Sequence, residues 1–174
     1  MSEIRVDTIA NKAGTQNFNF IKQIKQAQFL GNYNFNDASY QDISNGGEIL
    51  SIDITPSSTS SKILVKCILN ASANANQRFG VRIVRDGSMI FTPTSLSSRT
   101  AAHVFGNGVG SNAPTQPSTI ELLDTPSSTS SLTYKVQAFC ESTSYLYINS
   151  CQTWGDDASK FGAVSTLTAM EIAG

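Results

Sequence analysis

The stretch that decides the fold is Thr55–Ser61, with the sequence TPSSTSS, because it recurs letter for letter at Thr125–Ser131. Each copy follows an apolar segment and precedes a segment in which apolar and polar residues alternate. The preceding segments are Ile49–Ile54 and Thr119–Asp124, and the following ones are Lys62–Asn70 and Leu132–Cys140. Alternation with a period of two is typical of a strand with one buried and one wetter face. The repeat therefore predicts two units, each made of two strands and their connection.

The alternating segments present continuous apolar rows, which are Ile63, Val65, Cys67 and Leu69 in the first and Leu132, Tyr134, Val136, Ala138 and Cys140 in the second. If the strands around the first copy pair directly, Ile54 lies opposite Ile63 and Ile52 lies opposite Val65. A slip by one residue would set lysines against the apolar row and is disfavoured. The seven-residue connection also permits a crossing from one sheet to another, so both arrangements stay open.

Further strands are predicted downstream. Asp86-Gly87, between Phe79–Arg85 and Ser88–Phe91, is the strongest short-range hairpin signal. Additional strands are expected at Ala101–Phe105, Tyr145–Asn149 and Val164–Ile172. Many short strands without interleaved helices predict an all-β fold, an antiparallel β-sandwich of jelly-roll type.

The first 47 residues have a different pattern. Many large apolar residues occur there without a matching partner segment, and Ile21–Gln28 is expected to form one or two helical turns. We therefore predict a short N-terminal arm, extended and partly helical, at residues 1–47 and a β-sandwich domain at residues 48–174. An aromatic arm too short to build its own core is expected to pack on the sandwich or on another chain.

Composition and charge argue against several classes of protein. Twelve Lys and Arg against 13 Asp and Glu give a net charge of -1, which argues against a nucleic-acid partner. No apolar run approaches the roughly 20 residues of a membrane helix, and the N-terminus lacks a secretory pattern, so synthesis in a cytoplasm is expected. Three cysteines, an odd number, predict reduced and packed thiols. A hairpin of Leu132–Cys140 with Ser144–Cys151 would hold its two thiols too far apart for a disulfide.

Catalytic patterns are weak. His103 is the only histidine, which excludes a zinc site built from several imidazoles, and its apolar surroundings favour a structural role. Asp156 and Asp157 are interpreted as a polar turn, with loop cation binding as the alternative. The run Gly106–Gly110 lacks the helix and lysine of a phosphate loop. We expect no enzyme activity, no metal and no cofactor.

Two further groups of residues are candidates for contacts with solvent, other subunits or ligands. Arg78, Arg82 and Arg85 lie along one predicted strand and are interpreted as a solvated or inter-subunit surface. Tyr145, Tyr147, Trp154 and Asp156 are close in sequence, and aromatic rings beside polar side chains are the usual means of holding a sugar. These four residues form a candidate receptor or carbohydrate site. The alternative is that both tyrosines are ordinary core or interface aromatics.

Three stretches carry a resemblance to a family. Ser2–Thr15 (SEIRVDTIANKAGT) resembles the opening of tail-fibre and related virion proteins of tailed phages, notably those of cyanobacteria and marine bacteria. Gly47–Val65 (GEILSIDITPSSTSSKILV) is similar to the start of the C-terminal β domain in that group, and Ser165–Ile172 (STLTAMEI) is similar to its final strand.

The resemblance implies a homotrimeric virion protein, made in the host cytoplasm and carried on the tail or capsid exterior. Its N-terminal arm would attach to another virion protein, with the candidate anchor residues Ile4, Val6, Ile9, Phe18 and Phe20. Its head would meet a host-surface glycan or protein, without nucleic acid and without membrane insertion. Few residues separate Gly14 from Gly47, so a short tail fibre or fibre tip is expected. The alternatives are a capsid decoration, head-fibre or adaptor protein without receptor binding, and a carbohydrate-binding module.

Overall fold

The structure is a computed structural model that describes residues 21–74, 77–94, 97–108, 115–141, 145–151 and 162–174. These residues form strands and their connections, without a helix among them. In chain order the strands are β1 (Ile21–Phe29), β2 (Tyr33–Phe35), β3 (Gln41–Asp42), β4 (Ser44–Asn45), β5 (Glu48–Ile49), β6 (Ser51–Ile54), β7 (Lys62–Ala73), β8 (Arg78–Arg85), β9 (Ser88–Met89), β10 (Val104–Asn107), β11 (Gln116–Asp124), β12 (Leu132–Cys140), β13 (Leu146–Ile148) and β14 (Ser165–Ile172).

Sheet I is built around the long strand β7. Strand β11 pairs with one edge of β7, and β14 and β13 pair end to end with the other edge. Strand β1 then pairs with β14, and β2 pairs with β13. Sheet I therefore has four strand positions, in the order β11, β7, β14 with β13, and β1 with β2, and every pairing is antiparallel.

Sheet II is built in the same way around β8 and β12, which pair with each other. Strands β10 and β9 pair with the free edge of β8, and β6 and β3 pair with the free edge of β12. Its four strand positions are, in order, β10 together with β9, then β8, then β12, and finally β6 together with β3. Strands β4 and β5 form a separate small hairpin between β3 and β6.

The two sheets face each other across one hydrophobic core. Alternate residues of β7 and of β12 are fully or almost fully buried, as the apolar rows in the sequence predict. One continuous cluster joins them, and it includes Val65, Leu69, Val81, Ile83, Val136 and Leu167. The predicted all-β, antiparallel β-sandwich is confirmed.

Both copies of TPSSTSS cross between the sheets. The first leads from β6 in sheet II to β7 in sheet I, and the second leads from β11 in sheet I to β12 in sheet II. Direct pairing of the strands around the first copy is therefore wrong, and the alternative of a crossing is confirmed. Ile54 lies opposite Leu132 instead of Ile63, and Ile52 lies opposite Tyr134 instead of Val65.

The hairpin considered for Leu132–Cys140 and Ser144–Cys151 is also wrong. Strand β12 belongs to sheet II, whereas β13 belongs to sheet I, so the chain changes sheet between them. Cys67 and Cys140 are buried thiols outside any disulfide, as expected, and burial raises the pKa of Cys67 to about 12. The predicted turn at Asp86-Gly87 is confirmed: both residues have positive φ, and β8 pairs directly with β9.

The helical turns predicted for Ile21–Gln28 are wrong, because this segment is part of β1 and pairs with β14 along almost its whole length. Strands β1 to β5, all before residue 50, contribute to both sheets and to the small hairpin. The predicted division between residues 47 and 48 therefore does not coincide with an edge of either sheet. The candidate anchor residues Ile4, Val6, Ile9, Phe18 and Phe20 lie outside the described residues, so their role stays a prediction.

The sandwich has two distinct ends. Ile21 pairs with Ile172, which pairs with Lys62, and both TPSSTSS crossings leave from this repeat end. At the other end of β7, Ala73 pairs with Leu146. The eleven steps along β7 between Lys62 and Ala73 span about 36 Å. Tyr145, directly before Leu146, is therefore about that far from the point where residues 1–20 join the sandwich.

Candidate functional site

The tyrosine end brings together two of the four candidate site residues. The rings of Tyr145 and Tyr147 lie 6.1 Å apart between centroids, with 35° between their planes. Tyr145 is 42% exposed, whereas Tyr147 is buried, and burial together with the neighbouring Tyr145 raises the pKa of Tyr147. Trp154 and Asp156 lie outside the described residues, as does Asp157, so the other half of the site and the cation alternative stay predictions.

A buried asparagine fixes the strand that carries these tyrosines. Asn149 follows β13 with a φ of 58° and donates from its side chain to the carbonyl oxygens of Phe29 and Gly31. Its Oδ1 accepts a hydrogen bond from Ser165 Oγ at 2.7 Å. Asn149 thus joins the end of β13 to the start of β14 and to the connection between β1 and β2. Buried side-chain hydrogen bonds of this kind hold a chain in one geometry.

The arrangement can present an aromatic surface to a ligand. The exposed Tyr145 ring rests beside the buried Tyr147 ring, and the register sets the exposed Asn34 next to Tyr147. An aromatic face with nearby amide and phenol groups can stack on an apolar ring face and hydrogen-bond hydroxyls. The two tyrosines therefore lie together, as predicted, and one of them is accessible.

A second feature, on the outer face of sheet II, was not identified from the sequence. The Arg82 guanidinium lies 3.9 Å from the centre of the Tyr40 ring, and the Tyr40 hydroxyl donates to the carbonyl of Ala101 at 2.6 Å. Arg82 also donates to Gln137, which donates to Asp42. Burial raises the pKa of Tyr40, although the charge of Arg82 opposes it. These contacts join residues far apart in sequence, so alternation within one strand carries no signal for them.

The three arginines of β8 do not share one environment. Arg78 and Arg82 lie on the outer face, and Arg78 is paired with Glu141. Arg85 lies on the inner face, and the interpretation of it as part of a solvated or inter-subunit surface is wrong. Its Nη1 is 2.5 Å from Oδ2 of the buried Asp124, which also accepts a hydrogen bond from Tyr134 at 2.6 Å. Burial and the Asp124 carboxylate raise the pKa of Tyr134, so the phenol stays a donor.

His103 has a structural place. It fills a gap between β9 and β10 at the edge of β8, where Ile83 N–H donates to its Nδ1 at 3.0 Å. Its Nε2–H donates to the carbonyl of Ile90 at 2.5 Å. Burial lowers the pKa of His103 below the ordinary 6.5. Because both nitrogens bond to the backbone, the ring replaces missing contacts between strands.

The glycine run has a packing explanation where the structure describes it. A Cβ at Gly106 would lie 2.5 Å from the Phe79 ring, so any side chain at this position of β10 would displace that buried ring. Among the described residues there is no group of three or more His, Cys, Asp or Glu side chains that could hold a metal ion. Nor do the described residues include a helix long and apolar enough to cross a bilayer.

Glu171 is the most unusual buried group, and the sequence carried no signal for it. Its carboxylate is fully buried and accepts from the backbone N–H of Ser57 and from the hydroxyls of Ser57 and Ser61, at 2.6–2.7 Å. Gln23 donates to its second oxygen at 2.7 Å. Burial alone would raise the pKa of Glu171, but these hydrogen bonds outweigh it and lower the pKa to about 2. The first TPSSTSS copy is thus a cradle for a buried charge.

Comparisons with known proteins add little. No protein-family model matches the chain, and no curated protein matches it. Among solved structures, the chain is similar to a chain in a structure of infectious bursal disease virus, Gx strain, with a TM-score of 0.37 and 12% identity. The similarity covers 97% of this chain and 46% of the viral one, so the present chain spans about half of its relative's length. At this TM-score the likeness carries no argument about function.

Proposed function

We propose that this chain is a structural protein of a virus particle, and more narrowly a short tail fibre or fibre tip of a tailed phage. It attaches through its N-terminal residues and presents the β-sandwich to the host surface. No catalytic, metal or cofactor role is part of the proposal. The resemblance of Ser2–Thr15, Gly47–Val65 and Ser165–Ile172 to tail-fibre proteins supplies the class.

The observation that carries the proposal is the separation of the two ends. Residues 1–20 join the sandwich at Ile21, and the exposed Tyr145 lies at the opposite end, about 36 Å away along β7. A tip protein needs this polarity, because one end must be held by the particle while the other reaches the host. The same molecule with both features at one end would not suit that role.

The strand order also supports a virion role. The four positions of each sheet give eight strand positions, which we number in chain order. Sheet I holds the first, third, sixth and eighth positions, and sheet II holds the second, fourth, fifth and seventh. We infer that the sandwich is a jelly roll, since two four-position sheets connected in this way form two interleaved Greek keys. That architecture recurs in viral capsid and lectin domains. It supports the class of protein and, as a fold, leaves the ligand open.

The partners follow from this role. The resemblance implies a homotrimer, another virion protein bound by Ile4, Val6, Ile9, Phe18 and Phe20, and a position on the outside of the particle. A host-surface glycan suits the tyrosine end, where the Tyr145 ring is free to stack on a sugar. The balanced charge gives no support to nucleic-acid binding.

The attachment half of the proposal is tested by removing residues 1–20. The truncated chain keeps all fourteen strands of the described residues, so it should fold, which circular dichroism would check. We expect it to be missing from assembled particles when it replaces the full chain, as measured by mass spectrometry of purified virions. Normal incorporation of the truncated chain would contradict the anchor assignment.

The receptor half is tested by competition for host adsorption. Purified full chain should slow phage adsorption, and Tyr145→Ala should reduce that effect at least several-fold. Thr129→Ala is the matched control, because Thr129 is exposed at the repeat end, and it should compete like the unchanged chain. If the unchanged chain does not compete, the receptor role fails and a decoration or adaptor role replaces it.

A further inference from the structure

The outer faces of the two sheets differ in chemistry. The outer face of sheet II carries charged groups in most of its rows, namely Asp42, Asp53, Arg78, Arg82, Lys135 and Glu141. The outer face of sheet I carries fewer charged groups, Lys62, Lys66 and Glu121, together with several large apolar side chains. Because the surface of a soluble domain is normally polar where strands face water, this asymmetry indicates that sheet I is covered by something.

The apolar side chains of sheet I form one uninterrupted row across all four strand positions. In the register of sheet I, Leu123 pairs with Leu64, Leu64 pairs with Met170, and Met170 pairs with Ile24. Their inward neighbours Val65 and Ala169 are fully buried, so the row itself points outward. Leu123 is 43% exposed and Ile24 is 58% exposed, which leaves much of the row open to solvent in the isolated chain. We call these four residues the apolar row.

Further apolar residues extend the apolar row on both sides. Ile21 and Ile172 pair with each other in the adjacent outward row, and Ile68 lies two outward rows away on the other side, with Lys66 between it and Leu64. Ile21 is 53% exposed and Ile68 is 36% exposed. The face between them carries Lys66 and Glu121, which approach each other within 3.7 Å. The charges of this ion pair therefore cancel within one copy of the chain.

The size of this face decides what kind of partner can cover it. Four strand positions are about 19 Å wide, and the paired length of β7 is about 26 Å, which gives about 500 Å² in projection. Accessible area exceeds projected area on a surface of protruding side chains, so it approaches the roughly 800 Å² per partner of a stable interface. A single extended segment is only about 5 Å wide and would leave most of the face uncovered.

We propose that the outer face of sheet I is the surface through which this chain binds a second copy of itself. A second copy brings an identical apolar row, and identical rows can meet across a two-fold axis or around the three-fold axis of a trimer. The Lys66–Glu121 pair is neutral within each copy, and the exposed Lys62 lies at the end of the face, beside Ile172. The inference concerns self-association alone and stands whether or not the chain belongs to a virion.

The test is the mass of the full chain in solution by sedimentation velocity and light scattering. The unchanged chain should have a multiple of 18.6 kDa at micromolar concentration. Ile24→Lys and Leu123→Lys should each shift it to a monomer, because each buries a charge in the interface. Both positions are about half exposed in one copy, so the variants should keep the circular dichroism spectrum of the unchanged chain.

Phe105→Lys is the matched control, because Phe105 is 86% exposed on the outer face of sheet II. It adds the same charge to the other face and should leave the mass unchanged. An unchanged chain that is monomeric at 18.6 kDa would overturn the inference, and so would lysine variants that assemble normally. Covalent footprinting of Leu123 and Ile24 on dilution gives an independent reading, since both should gain reactivity as copies separate. A monomer still incorporated into particles would overturn this inference and leave the attachment proposal intact.

Discussion

Glu171 is a fully buried carboxylate whose four hydrogen-bond donors come from β1 and from the first TPSSTSS crossing. Its pKa of about 2 lies below the ordinary 4.5, so the folded state holds the charged form more tightly than the unfolded state does. The difference corresponds to about 3 kcal/mol of stability. This contribution is complete above about pH 4.5 and is lost as the pH falls through about 2.

We expect Glu171→Gln to lower the free energy of unfolding by about 3 kcal/mol at pH 7, because the charge that accepts four hydrogen bonds is lost and the amide nitrogen meets a donor, Gln23 Nε2, when the amide oxygen keeps Ser57 and Ser61. Urea unfolding measures this change. The variant should also lose less stability than the unchanged chain between pH 4.5 and pH 2. Asp53→Asn is the control, because its carboxylate is exposed on the outer face of sheet II and the amide can still accept from Thr133, so it should change stability by less than about 1 kcal/mol. Equal effects of the two substitutions would contradict the cradle.

His103 supports a second prediction at the scale of single residues. His103→Ala leaves the N–H of Ile83 without its acceptor, which should cost about 1–3 kcal/mol by urea unfolding. Because burial lowers the pKa of His103, the stability that the neutral ring contributes is complete above about pH 6.5 and decreases as the pH falls through the lowered pKa. NMR of the ring nitrogens should show the Nε2-protonated form at pH 7. A ring with protons on both nitrogens at pH 7 would contradict the assignment.

At the scale of elements, the two TPSSTSS crossings have one sequence and two conformations. In each copy a serine hydroxyl accepts from the N–H two residues later, at Ser58 and at Ser128. The copies differ one residue earlier, because Ser127 has a φ of 52°, whereas Ser57 bonds to Glu171. Tertiary contacts therefore select the conformation of each copy.

This difference predicts opposite effects of the same substitution. Ser127→Gly should stabilise the chain by up to about 1 kcal/mol, because glycine adopts positive φ without a steric cost. Ser57→Gly should destabilise it by about 2 kcal/mol, because a hydrogen bond to the charged Glu171 is lost. Thermal unfolding of the two variants compares them directly. Shifts of the same sign would show that the crossings are equivalent.

Strand faces could be predicted from the sequence because alternation is a local property. Val136 and Val65 lie in rows whose apolar residues recur at every second position, and both rows are buried. The turn at Asp86-Gly87 was equally accessible, since positive φ at two successive residues is a local requirement. The pairing of strands was not accessible, because a seven-residue connection suits a hairpin and a crossing alike. In this chain both connections cross.

The other features that the sequence did not predict correctly also depend on contacts between distant segments. Segment Ile21–Phe29 spaces its apolar residues like a helix, but pairing with β14 holds it extended, so the tertiary context overrides local preference. Arg85 meets Asp124, and Arg82 meets Tyr40, only once both sheets have formed. Of the candidate site, the sequence identified Tyr145 and Tyr147 because they are only two residues apart in the chain. Glu171 remained hidden because its partners come from distant segments.

At the scale of the whole molecule, the two faces of β7 have different roles: one face packs in the core, and the other is proposed to contact a second copy. Val65 points into the core between the sheets and is fully buried, whereas Ile68 points outward on the same face as the apolar row. Val65→Asp places an unpaired charge in the core, which costs several kcal/mol, so we expect no soluble folded chain. Ile68→Asp should fold, with an unchanged circular dichroism spectrum and a cooperative melt. It should sediment at a lower mass than the unchanged chain, because the charge then lies in the face between copies. Soluble folded Val65→Asp would contradict the assignment of the core face, and a fully assembled Ile68→Asp would contradict the assignment of the outer one.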